Sequence, residues 1–100
     1  MIPVDWILLL STVLFCIGAM GVAIRRNAIV ALMSIELMLN AGILALVAAS
    51  AHHGDLSAQV VVLFIMMIAA AEASVGLAII TTAFRKHYEV DLDQYSSLKW

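Results

Sequence analysis

Glu36 and Glu72 are placed where an acidic side chain is costly, and their chemistry is the first thing the sequence offers. Glu36 lies inside IVALMSIELMLNAGILALVA, and Glu72 lies inside VVVLFIMMIAAAEASVGLAII. The nearest other charged residues are Arg26, ten positions before Glu36, and Arg85, thirteen positions after Glu72. An ionised side chain at the centre of a bilayer costs about 3 kcal/mol on insertion scales. Burial disfavours the charged form of a carboxylic acid, which brings such a group toward the range where it both takes up and releases a proton near neutral pH. Two such groups close together titrate in coupled steps. The chemistry that suits a pair of buried acids is the movement of protons or cations.

Three further residues could serve them. Asn40 stands four positions after Glu36, on the same helix face, and can hydrogen-bond the acid or hold water. Arg25 stands eleven positions before Glu36, again on that face if the helix extends so far back. With its neighbour Arg26 it could stabilise an ionised state or guard one mouth of a relay. Plainer readings stand beside these. A protonated intramembrane glutamate can simply hydrogen-bond a neighbour, and arginines at span ends are more often topology signals. His52 and His53 fall in a polar stretch and read as solvated, and the six methionines read as gap fillers between helices. Cys16 is the single cysteine, so it has neither a disulfide nor a metal-binding partner of its own kind. No histidine falls inside a span to supply a haem pair, and no glycine-rich phosphate loop or nucleophile–base pair is present. The energy for any transport must then come from partners.

The elements that position these residues follow from composition. The chain has 100 residues, 65% hydrophobic and 12% charged, where a soluble domain carries about 25% charged residues. Mean hydropathy is +1.11. An all-α membrane protein is expected, as one compact unit over residues 1–100. Three spans are readable, at about 2–24, 28–50 and 57–84, followed by a polar tail over 85–100. Each exceeds the roughly 20 helical residues that a bilayer core requires. The start, MIPVDWILLL, has Asp5 and no basic leader, so the first span reads as retained rather than cleaved. Tyr88 or Trp100 could anchor the tail at the interface. Net charge is −2, which gives no basic field for nucleic acid.

Arg25 and Arg26 close the first span, and Arg85 and Lys86 close the third. Three spans put both clusters on one side. The positive-inside rule makes that side cytoplasmic and leaves the N-terminus and the His52–Asp55 connection outside. Glu36 is then about 15 Å, and Glu72 about 20 Å, from the cytoplasmic arginines, near mid-membrane. Small residues Gly42, Ala45 and Ala49 on the second span, and Ala69, Ala73 and Gly76 on the third, predict faces where backbones approach closely. The first of these stripes lies roughly opposite Glu36, which leaves the acid on a second surface.

RRNAIVALMSIELMLNAGILALV, AAAEASVGLAIITTAFR and GAMGVAIRRN together closely resemble the small membrane subunit K of bacterial proton-pumping NADH:quinone oxidoreductase, respiratory complex I. The resemblance covers nearly the whole chain, and SIELMLN is its most specific segment. It implies a cofactor-free, obligately hetero-oligomeric membrane-arm subunit of the bacterial inner membrane, between the quinone-proximal region and the antiporter-like subunits. NADH, FMN, iron–sulfur clusters and quinone would be held by partner subunits. It also implies that Glu36 and Glu72 belong to a hydrated chain of charges, with Arg25 and Arg26 in support.

The related small C subunit of Mrp-type cation/proton antiporters is the alternative, with a similar fold and no redox partner. A self-sufficient transporter or rotor ring fits three spans and two acids poorly, and a purely structural scaffold remains the contrasting class.

Overall fold

The chain folds as three helices, α1 (Val4–Ile24), α2 (Ala28–His53) and α3 (Ser57–Lys99), in a computed structural model that describes residues 2–99 and their side chains through Ser97. All three are long and apolar enough to cross a membrane, and no strand occurs among the described residues. The all-α, three-span architecture expected from composition is the one observed. α2 is central: α1 packs on one face, α3 on another, and α1 and α3 do not touch among the described residues. The described chain measures 70 × 26 × 17 Å. A single layer of three helices buries little, so only 11% of the residues in each span's apolar window are buried within the chain. Lipid or other polypeptide must cover the rest.

The turns are set by a few polar groups. Arg25 leaves the helix with an extended backbone, its N–H still donating to the Gly21 carbonyl at 3.1 Å. Asn27 then caps α2. Its side-chain oxygen accepts from the N–H of Ile29 at 2.8 Å and of Val30 at 3.5 Å, satisfying donors that the first helical turn cannot. At the other end α2 runs through His53, three residues past the expected Ser50. The histidines therefore form its last turn rather than a loop, although both are exposed. Histidine tolerates a helical backbone, so the helix ends only at Gly54, whose φ of 68° suits a residue without Cβ. Buried Ser50 ties the turn together: its carbonyl accepts the Asp55 N–H at 3.2 Å, and its hydroxyl donates to the Asp55 carbonyl.

α3 differs most from the sequence expectation. The polar segment after Phe84 continues the same helix to Lys99. Its 43 residues span about 65 Å, roughly twice a hydrocarbon core. Tyr88 is exposed on this extension, and Trp100 lies outside the described residues.

The packing seams follow a period of seven. Ser11 and Gly18 are buried on α1, Ser34, Ala41 and Ala48 on α2, and Val62 and Ala69 on α3. A seven-residue period is the spacing of helices that wrap at a shallow left-handed angle. The tightest approach joins α1 to α2. A Cβ added at Gly18 would sit 2.6 Å from Met38 Cγ and 2.8 Å from the Ser34 carbonyl oxygen, and one added at Gly21 would strike the Ser34 side chain. The expected stripe on α2 is therefore met only in part, with Ala45 and Ala49 half-buried. Gly42 is exposed, with nothing within 4 Å of a Cβ added there, while Ala41 and Ala48 are the buried residues. The notch at Gly18 and Gly21 receives Ser34 and fixes the rotation of α2. On α3 the expected stripe holds: Ala69 is buried, Ala73 and Gly76 are half-buried, and Gly76 faces Leu32.

Candidate functional site

With α2 rotated so that Ser34, Ala41 and Ala48 lie inside the layer, Glu36 turns toward α3. It is half-buried, in an open groove of about 440 Å³ between the two helices. Leu32, Met33 and Leu37 line the α2 wall, and Ala73 and Leu77 line the α3 wall. Asn40 lines the same groove, as its position one turn beyond Glu36 predicts. Small Ala73 leaves the space opposite the acid, and Gly76 lets Leu32 lie close against α3.

Glu72 is placed differently. It is exposed on α3, next in sequence to Ala73, and is not among the residues lining the groove. This chain therefore covers one carboxylate in part and leaves the other on its outer surface. Among the described residues, no side-chain hydrogen bond or ion pair reaches either carboxylate; the one histidine–carboxylate contact is His87–Asp91 at 3.4 Å, on the α3 extension.

The two arginines are exposed in the α1–α2 connection. Because α2 begins only at Ala28, helical continuity does not carry Arg25 onto the Glu36 face, so that expected alignment is lost. Asp55, at the opposite turn, accepts the Ser57 N–H at 2.9 Å. That bond, then the Ser57 hydroxyl and the nearby His53, hold its carboxyl below the usual carboxylate range. No cluster of three or more His, Cys, Asp or Glu suited to a metal ion occurs among the described residues.

The family model for NADH-ubiquinone/plastoquinone oxidoreductase chain 4L matches residues 6–100. The chain belongs to this family. Similarity to individual proteins runs nearly the full length. A Salinibacter ruber protein is 54% identical over 95 residues, covering 95% of this chain and 94% of the relative. A Roseiflexus castenholzii protein is 44% identical over 99 residues, 99% of each chain. Both are named NADH-quinone oxidoreductase subunit K. A Solibacter usitatus protein named NADH-quinone oxidoreductase subunit K 1 is 45% identical over 98 residues, covering 98% of this chain and 95% of that one.

Reading the sequence missed the residues that aim this family member's Glu36. Gly18, Gly21 and Ser34 set the rotation of α2, and none was singled out for packing. The available signal was the seven-residue spacing of Ser11 with Gly18 and of Ser34 with Ala41 and Ala48.

Proposed function

We propose that this chain is a membrane-arm subunit of a proton-translocating NADH:quinone oxidoreductase, and that Glu36 and Glu72 carry protons or relay charge within it. The observation that carries the reading is Glu36: a mid-span carboxylate, half-buried in an apolar groove, in a chain of this family. A fixed ion in that groove would be costly, whereas a group that alternates between neutral and ionised forms has a use for the position. The names of the relatives favour this reading over an Mrp-type antiporter subunit.

Redox chemistry belongs to partner subunits, which hold NADH, FMN, iron–sulfur clusters and quinone. Quinone reduction there alters charge and wetting in the membrane arm, and the two glutamates respond by exchanging protons. The exposed position of Glu72 supports a site completed by a neighbouring subunit, and the sparse burial in every span supports an obligate hetero-oligomer. The chain spans a bacterial inner membrane several times, with its N-terminus outside. Arg25 and Arg26 mark the cytoplasmic side and stand at the mouth of the relay.

The test is Glu36→Gln and Glu72→Gln in the assembled complex. Proton-coupled turnover is expected to fall on the order of tenfold or more in each, with assembly retained. A normal proton-to-electron ratio in both variants would reject the relay. Copurification with chains carrying flavin and iron–sulfur absorbance tests the assignment of partners.

A further inference from the structure

We infer that Asn40 is a positioning residue for Glu36: its amide meets the carboxyl in both protonation forms and keeps the groove wet around it. This rests on the relay reading of Glu36 and adds the group through which that acid works. The argument begins with the groove walls. Leu32, Leu37, Ala73 and Leu77 offer no side-chain hydrogen bond, so Asn40 is the only lining residue besides Glu36 with a polar, hydrogen-bonding side chain. The two stand one helical turn apart, a spacing at which side chains can meet. In this structure they share the groove without a direct hydrogen bond, Glu36 half-buried and Asn40 exposed, so a rotamer change or a bridging water joins them. The groove, at about 440 Å³, has room for several waters, and a water is held only where polar partners converge.

An amide suits this task for a chemical reason. Its NH₂ donates to a carboxylate, and its carbonyl accepts from a protonated carboxyl. It therefore satisfies Glu36 before and after the proton leaves, without adding a charge or a second titration. A carboxylate at position 40 would set two acids against each other, and an aliphatic side chain would leave both forms of Glu36 without a partner in the groove.

No other titratable group among the described residues occupies the groove. On α3, Glu72 precedes the lining residue Ala73 and is exposed; on α1, which packs on another face of α2, the titratable groups are Asp5 in the first turn and exposed Cys16.

The experiment uses the intact complex carrying Asn40→Leu, Asn40→Gln, Glu36→Gln, or Asn40→Leu combined with Glu36→Gln. The Glu36 carboxyl stretch is located in the infrared difference spectrum as the band that Glu36→Gln removes. In Asn40→Leu that band should move to higher frequency, as for a carboxyl that has lost its hydrogen-bond partner. Proton-coupled turnover should fall about tenfold, the equivalent of one charge-assisted hydrogen bond. Asn40→Gln, which keeps the amide, should restore most of both. Asn40→Leu should cost nothing further once Glu36 is glutamine. An unmoved Glu36 band in an assembled Asn40→Leu complex, or full additivity in the double variant, would overturn the inference while leaving the relay intact. Normal pumping by Glu36→Gln alone would instead remove the reading on which it rests. Where Asn40→Leu prevents assembly, Asn40→Ala supplies the same comparison with less bulk.

Discussion

On its α1 side, α2 meets a neighbour with almost no side chain between the two backbones, at Gly18 and Gly21 against Ser34. On its α3 side it meets one across an open groove that holds Glu36 and Asn40. Both contacts use small residues, but to different ends. Along the α1 seam, absent side chains let two helices close on each other, the usual route to affinity where lipid removes the hydrophobic drive. Along the α3 side, Ala73 leaves space that the helices do not fill. A packed seam fixes rotation, and an adjacent unfilled groove gives the fixed residue something to do. The direction of Glu36 is thus settled by contacts on another face of its helix.

Glycine substitutions probe this difference, and Gly18→Ala should have the largest effect. Its new Cβ would meet Met38 and the Ser34 carbonyl, and a backbone oxygen at 2.8 Å cannot swing away. Separating the helices to admit it should cost about 1–3 kcal/mol, read as lower resistance of the purified complex to detergent and heat, with loss of coupled turnover. Gly21→Ala meets the Ser34 side chain, whose hydroxyl can rotate, so a smaller loss is expected. Gly76→Ala meets only the Leu32 methyl ends, nearest at 3.2 Å, and should be nearly neutral for stability. A Gly76→Ala variant as damaging as Gly18→Ala would show that the two sides of α2 are equally tight.

Much of this was legible beforehand, and the gaps have identifiable causes. The polar interruption RRN and the break at Gly54 separate three apolar runs, so the helices were readable. So was the shared face of Glu36 and Asn40, because four residues is about one helical turn, although the groove against α3 that this face lines was not. The face of α2 that meets α1 was not readable from residue size. Ala41, Gly42, Ala45, Ala48 and Ala49 place small residues around much of the helix, and only the notch on α1 selects among them. Composition after Phe84 announces solvent but not conformation; the running helix above it carries the segment on without a new nucleus. The outward position of Glu72 depends on how α3 rotates against α2, which the spacing of two acids on separate helices cannot fix.

The two turns that hold α2 in place offer smaller effects. Asn27→Ala removes the oxygen that accepts from Ile29 and Val30 and should cost about 1 kcal/mol. The loss should appear as faster amide exchange in the first turn of α2, with Gly54 and the far end unchanged. Exchange that rises equally at both ends would mean that the cap is not a local device.

The smallest expected effect is acid sensitivity at the α2–α3 turn. The Asp55 carboxylate accepts the Ser57 N–H at 2.9 Å, and this bond, more than the Ser57 hydroxyl or His53, holds its carboxyl below the ordinary range. A carboxyl with a lowered folded-state pKa stabilises the turn fully above the unfolded value of about 3.9. That stabilisation fades as pH falls through the lower folded value. Between neutral pH and pH 5, protection of the Ser57 amide, corrected for intrinsic exchange, should be flat; below the usual carboxylate range it should drop. Asp55→Asn should make the profile flat throughout, since a neutral amide oxygen still accepts the bond but no longer titrates. The glutamate side of the comparison should ignore this change, because Asp55 lies beyond Gly54 at one end of α2 and Glu36 lies well inside the helix. An Asp55→Asn complex with altered proton-coupled turnover would mean that the turn, and not only the α1 seam, governs how α2 presents its acid.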